Sequence, residues 1–310
     1  MDKIRGVIDP EKFINNLRAE TSFLPEDLLI ILGPTASGKT KFAVACAEIL
    51  NGEIISADSR QVYRHMNIGT GKDLNAYGSI PYHLIDVVDP GEKYNIHQFL
   101  KDFESAYQEI VSRGKQPIVC GGTGFYIQSL IHPQPYTQVP VDEVFRQKIE
   151  LLDKSEIKSL LQDNPPPSDF EVDYTSKKRM IRALEISDWI RKNPTHSLPP
   201  LTSYEAILIG LNPDVATRRQ RISQRLHERL EAGMIDEVHL LLQMGVTHSE
   251  LEYYGLEYKY ISHYLQGKLS REAFVQKLET EIHRYAKRQM TYFRKMEKDG
   301  ANIHWIPVSD

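Results

Sequence analysis

The sequence predicts an α/β chain: a parallel sheet core flanked by helices, carrying an inserted, mostly helical subdomain. Three observations lead there. Short apolar runs alternate with helix-period segments through the first 131 residues. A glycine-rich loop closes the first of those runs. A proline-rich texture then sets in at residue 132, and the strand pattern returns only near 206.

Residues 28–32 are uniformly apolar and end at Gly33, the pattern of a strand buried on both faces. Helical spacing follows over 40–50 (Phe42, Val44, Ala45, Ile49). A short strand at Ile54 and Ile55 runs to Asp58. Residues 94–113 read as an amphipathic helix with Phe99, Phe103, Tyr107 and Ile110 on one side. Residues 117–120 form another buried strand, stopped by Gly121-Gly122, with a helix starting near Thr123. Residues 132–140 and 164–170 each hold three prolines, and 143–161 reads as one or two short helices between them. We assign 132–202 to the insertion and 1–131 with 203–310 to the core. Residues 206–211 are a strand, Asn212-Pro213 opens helices running to about 245, 256–265 and 271–298 are further helices, and 303–308 a last strand.

Composition narrows the function. The 310 residues are 41% apolar and 26% charged, enough to build a core, and 42 acids against 38 bases give a net charge of −4. A polycationic nucleic-acid binder is excluded, so any RNA surface must be a local patch. No apolar run reaches a membrane span, and residues 1–10 are charged, without an apolar signal core. Two cysteines, Cys46 and Cys120, cannot make a disulfide framework or a zinc finger. The expectation is a cytoplasmic monomer.

Gly33-Pro34-Thr35-Ala36-Ser37-Gly38-Lys39-Thr40 fits G-x-x-x-x-G-K-[ST] between a predicted strand and a predicted helix. Glycines let successive amides turn inward around an anion, and the helix N-terminus adds partial positive charge. Lys39 brings a full charge to the terminal phosphate and the Thr40 hydroxyl can hold Mg²⁺. The core is therefore P-loop NTPase-like and binds phosphate, although the loop does not say which phosphate compound. Asp58 ends the second strand, where open parallel sheets place ligands. It suits metal binding, proton acceptance or a plain helix N-cap.

Five stretches in order, GPTASGKT (33–40), SADSRQVYRHMNIGTGK (56–72), VCGGTGFYIQSL (119–130), RMIRALE (179–185) and YAKRQMTYFR (285–294), closely resemble the tRNA dimethylallyltransferase (isopentenyltransferase) family. The resemblance implies that dimethylallyl diphosphate seats its diphosphate on residues 33–40, with Mg²⁺ as cofactor. The exocyclic amine of the adenosine 3′ to the anticodon then attacks the allylic carbon. Asp58 matches the family's base, Thr35 the loop threonine beside the leaving oxygen, and Lys39 the cation on the departing charge. Ser59, Arg60 and Gln61 match the segment beside the target base, and Thr123 a threonine meeting the tRNA. Lys178, Arg179, Met180, Ile181 and Arg182 match one tRNA-contacting segment. Lys287, Arg288, Gln289 and Arg294 match another. The anticodon stem-loop is the implied partner, and its adenine must leave its stack to react.

Charge is unevenly spread. Residues 177–230 carry +6 and residues 281–298 a further +4. Arg218, Arg221, Arg225 and Arg229 recur at three- and four-residue spacing and share one helix face, a candidate track for RNA phosphates. Tyr285, Tyr292 and Phe293 interleave with the second basic set, as stacking or core residues. Glu252 stands where many members of the family carry an arginine. The insertion is shorter than usual, with Asp173-Tyr174-Thr175-Ser176 at a turn that commonly reads His-Pro-Asn-Asp. Three rival readings are an adenylate isopentenyltransferase, a small-molecule kinase, and a non-catalytic RNA-binding protein with a relic loop. The first needs neither the insertion nor the 179–185 and 285–294 segments. The second lacks an evident arginine-rich lid. The third is hard to square with intact Lys39, Thr40 and Asp58.

Overall fold

The structure, a computed structural model, describes residues 9–20, 24 and 26–308. Most of the charged segment 1–10 lies outside them. The chain divides into two compact units, Met1–His132 with Ser203–Asp310, and Pro133–Thr202.

In the first unit the order is α1 (Pro10–Glu20), β1 (Leu28–Leu32), α2 (Lys39–Leu50), β2 (Gly52–Ala57), β3 (Tyr82–His83), α3 (Ile96–Ser112), β4 (Gln116–Gly121) and α4 (Gly124–Ile131). Among the described residues six strands form one parallel sheet in the order β3-β2-β4-β1-β5-β6, with β5 (Ala206–Pro213) and β6 (Ile303–Val308) completing it. The predicted α/β class and P-loop-like sheet core are what the chain adopts. Alternation along β1 sends Leu28, Ile30 and Leu32 into the core on one face of the sheet and Leu29 and Ile31 into the core on the other. That two-sided burial is why the run carries no polar residue.

Boundaries differ from the sequence reading where caps or pairing decide them. The helix expected over 94–113 begins at Ile96, because the Asn95 side chain accepts from the Gln98 amide. Asn212 and Pro213 end β5 rather than opening a helix. Asp214 caps α8 (Val215–Glu231) by accepting from the Ala216 and Thr217 amides. Gly233, in a left-handed conformation, then separates α8 from α9 (Met234–Gln243), dividing the helical stretch expected up to about 245. Short α10 (His248–Leu251) precedes α11 (Leu256–Leu265) and the long α12 (Arg271–Lys298). Strand β3 has two residues and an exposed tyrosine, too little pattern to read from sequence.

The second unit holds α5 (Glu143–Glu150), α6 (Lys154–Asp163) and α7 (Lys177–Lys192) around a small core of Ile157, Leu161, Met180, Ile181, Ala183 and Leu184. The buried Glu185 carboxylate organises it, accepting from Arg146 Nε and Nη2 at 3.0 and 2.8 Å and from the Asp142 amide at 2.7 Å. No helix among the described residues is long and apolar enough to cross a membrane.

Candidate active site

Parallel neighbours bring their strand ends to one edge. Leu32 of β1 and Ala57 of β2 both pair with Gly121 of β4, so the turns that follow at 33–40, 58–61 and 122–124 converge. In the first turn a Cβ on Gly33 would lie 2.8 Å from the Leu211 carbonyl oxygen, which only glycine avoids. Gly38 takes φ +84 to enter α2, a conformation side chains resist. No side chain caps α2, leaving its first amides free to meet an anion.

The turns open onto a cavity of about 640 Å³ lined by Thr35, Lys39 and Thr40 at the loop and by Asp58 opposite. This volume suits a small ligand. Burial pushes the Lys39 ammonium below its usual range, and nearby Arg225 and Arg229 push the same way, while Cys120 and Asp58 oppose them. The Cys120 thiol, buried beside the loop, is pushed up to about 11. Tyr285 lies near Asp58, and burial first, then that carboxylate, raises its phenol.

Several side chains expected to meet RNA line the cavity and are tied into its wall. Asp58 Oδ1 accepts from the Arg60 amide at 2.9 Å within a turn; no helix follows, so the N-cap alternative for this residue falls away. Thr123 Oγ1 accepts from the Ser59 amide at 3.0 Å, tying the β2 and β4 turns together. The Arg60 guanidinium donates to the Tyr253 carbonyl at 2.5 Å and lies 5.4 Å from that tyrosine's ring centroid. Gln61 accepts from Ser56 Oγ at 3.0 Å and donates to the Gly71 carbonyl at 3.2 Å, using both ends of its amide.

Gln289 requires a correction. Only 7% exposed, it accepts from the Thr35 amide and donates to the Gly122 carbonyl, each at 2.9 Å. It clamps the phosphate loop to the β4 turn, with each end of its amide already engaged inside the protein. Its neighbours Lys287, Arg288 and Arg294 are exposed, as an RNA contact requires. In the second unit Lys178 and Arg179 are exposed, and Arg179 pairs with Asp173. The Asp173 carboxyl is held down at about 2 by the Thr175 hydroxyl and then Arg179. Met180 and Ile181, by contrast, are 1% and 4% exposed in the unit's core, and Arg182 spends its guanidinium on Glu185 and on the Tyr136 and Val139 carbonyls. Met180 and Ile181 therefore have no surface to offer RNA, while Arg182 stays partly exposed with its guanidinium already engaged. Helical period turns one side of such a segment inward, which the motif match alone does not show.

The arginine stripe on α8 is also divided. Arg225 and Arg229 line the cavity and not an outer RNA track; Arg225 pairs with Asp73 at 2.7 Å and Arg229 with Glu257 at 3.7 Å. Glu252 is exposed and engaged by His263 at 3.0 Å and Lys259 at 3.8 Å. Sequence reasoning therefore missed Arg225, Arg229 and Glu257 as cavity residues. Their spacing was visible, but spacing reveals a shared face and not what that face meets.

A Walker-type loop at the head of a parallel sheet, facing a carboxylate across a ligand-sized cavity, defines a P-loop-fold enzyme that handles a phosphorylated substrate. Comparison with known proteins narrows this. The family model "IPP transferase" matches residues 61–296, and "Isopentenyl transferase" matches 26–77. The chain is 47% identical over 282 residues to tRNA dimethylallyltransferase 2 of Trichlorobacter lovleyi, covering 90% of this chain and 92% of that one. It is 46% identical over 291 residues to tRNA dimethylallyltransferase 2 of Bacteroides fragilis, covering 91% and 93%. The full-length tRNA isopentenylpyrophosphate transferase of Bacillus halodurans superposes with a TM-score of 0.67 at 34% identity, over 91% of this chain and 90% of that one. A eukaryotic dimethylallyltransferase acting on tRNA superposes with a TM-score of 0.74 at 25% identity, over 92% and 74%. The chain belongs to the IPP transferase family.

Proposed function

We propose that this chain transfers the dimethylallyl group from dimethylallyl diphosphate to the exocyclic amine of the adenosine 3′-adjacent to the anticodon in tRNAs, releasing diphosphate. The observation that carries the reading is that Lys39 of the phosphate loop and Asp58 line one cavity, close enough for their charges to interact. A donor's diphosphate sits on residues 33–40, with the amides, Lys39 and Thr35 meeting its oxygens. The adenine enters from the side of Asp58.

As the allylic C–O bond breaks, its electron pair leaves with diphosphate, and the loop amides and Lys39 hold that growing charge. The adenine nitrogen forms the new C–N bond, and its proton passes to Asp58. The Asp58 oxygen not bound to the Arg60 amide is the acceptor, and the Asx turn aims it. Tyr285 excludes water from the carboxylate. Exposed Lys178, Arg179, Lys287, Arg288 and Arg294 supply sequence-independent phosphate contacts to the anticodon arm.

The donor set fits Mg²⁺: a threonine hydroxyl and an aspartate line the cavity, while among the described residues no three carboxylate, histidine or cysteine ligands converge into a full cage. Mg²⁺ characteristically takes few protein ligands and completes its shell with phosphate oxygens and water. Thr40 would hold it, and the ion would neutralise charge on the diphosphate. RNA as substrate and two free, buried cysteines suit the cytoplasm, where we take the chain to act as a monomer.

The test is incubation with radiolabelled dimethylallyl diphosphate and total bacterial tRNA, alongside AMP as competing acceptor. Label in one adenosine next to the anticodon is expected. Label in AMP alone would replace the reading with an adenylate-modifying enzyme, and no label in either would end it.

A further inference from the structure

Six cationic side chains line the cavity and three carboxylates oppose them, an excess of three positive charges in a partly enclosed space. Part of that excess sits at the rim. The deep part comes from an unexpected source. Arg225 and Arg229 lie four residues apart on α8, on the face turned toward the phosphate loop, and together with Thr35 and Ala36 they also border a small side niche.

Arg229 is the more telling. Its side chain is 15% exposed, and the acid facing it, Glu257 at 18%, stands 3.7 Å away, too far for a good hydrogen bond. Arg225 lies beside it, held at 2.7 Å by Asp73 and at 3.2 Å by the Gly71 carbonyl. Burial, then Arg225, lowers the Arg229 guanidinium to about 10, and both arginines also depress Lys39. Asp73 serves Arg225, so the cost of keeping the Arg229 cation from water beside a second cation is opposed mainly by Glu257 at 3.7 Å, a distance that offsets it only in part. A polyanion seated among them would offset it, and diphosphate carries the matching sign and multiplicity.

We infer that Arg229, with Arg225 beside it, forms the second wall of the diphosphate site, so that the donor's phosphates are held between α8 and the loop of residues 33–40. The inference rests on the proposed reading of this cavity as a diphosphate site. Glu257 keeps the guanidinium turned into the cavity, and the planar fork of Arg229 then meets phosphate oxygens bidentately, as a lysine could not.

The probe is inorganic diphosphate, titrated calorimetrically into the full chain at fixed salt. Arg229→Met keeps bulk and removes charge. The double variant R229M/E257Q removes the ion pair as a unit, so that no lone buried acid confuses the result. Lys39→Ala serves as the control. Both Arg229 variants, folded by circular dichroism, are expected to bind diphosphate about tenfold to a hundredfold more weakly, the range for a charge-assisted contact. KM for dimethylallyl diphosphate should rise in parallel, while affinity for an anticodon stem-loop stays within about twofold of the unmodified chain. Diphosphate binding that is lost in Lys39→Ala but unchanged in R229M/E257Q overturns this inference and leaves the diphosphate reading standing. Binding that is absent from the unmodified chain overturns both.

Discussion

Replacing Gln289 with methionine separates a structural clamp from an RNA contact. The substitution keeps the length and bulk of the side chain but deletes two hydrogen bonds, from the Thr35 amide and to the Gly122 carbonyl, each 2.9 Å. An unsatisfied buried polar group costs about 1–3 kcal/mol. Thr35 borders the cavity, so water recovers part of its loss and the lower end applies. Gly122 is buried and sits nearer the upper end. Together the change should cost about 2–4 kcal/mol, a sizeable fraction of the roughly 5–15 kcal/mol that holds a typical protein folded. In urea titrations the midpoint falls with an unchanged slope. Because the Thr35 amide loses its anchor, KM for the prenyl donor rises several-fold, while the affinity for an anticodon stem-loop stays within about twofold. A variant with normal stability and weakened stem-loop binding would refute the reasoning and return Gln289 to the RNA surface.

Asp58→Asn retains an oxygen for the Arg60 amide but cannot take a proton, so single-turnover transfer should slow by about 10²–10⁴ with donor and RNA affinities little changed; an unaltered rate removes Asp58 as the base. Glu185→Leu leaves Arg146 and Arg182 without their shared carboxylate and should destabilise the 133–202 unit by about 3–5 kcal/mol, seen as faster limited proteolysis there. Glu53 is pushed up by burial, but hydrogen bonds from Arg113 and His83 prevail and hold its carboxyl below 4.5. A carboxyl lowered on folding adds stability that is present above its ordinary value and is lost as pH falls through the lowered one. Unfolding midpoints measured across the range below about pH 5 should therefore drop less steeply in Glu53→Gln than in the unmodified chain, and parallel curves would exclude Glu53 as a contributor.

Much of the core was legible because its signals are local. A strand buried on both faces has to be apolar throughout, as residues 28–32 are, and a loop that wraps phosphate needs Gly33 and Gly38 for steric reasons confined to a few neighbouring atoms. Helix ends were less legible. Gly233 sets where α8 gives way to α9, and Asn95 and Asp214 set helix starts through one or two side-chain hydrogen bonds. The RNA-facing set was read from a motif, and helical period then withdrew part of it. Met180 and Ile181 pack inward in the same turn of α7 that leaves Lys178 and Arg179 in solvent.

By itself, then, the sequence determined the parallel α/β class, the phosphate loop and the carboxylate at the end of the second strand, because each follows from interactions within a few residues along the chain. Only the tertiary structure decided that Gln289 reaches from α12 to Thr35, 254 positions away, and that Arg225 and Arg229 close on the loop from α8. Periodicity tells which side chains share a face. The partner of that face is chosen by how distant elements pack, and in this chain packing turns half of an apparent surface stripe, Arg225 and Arg229, into cavity wall.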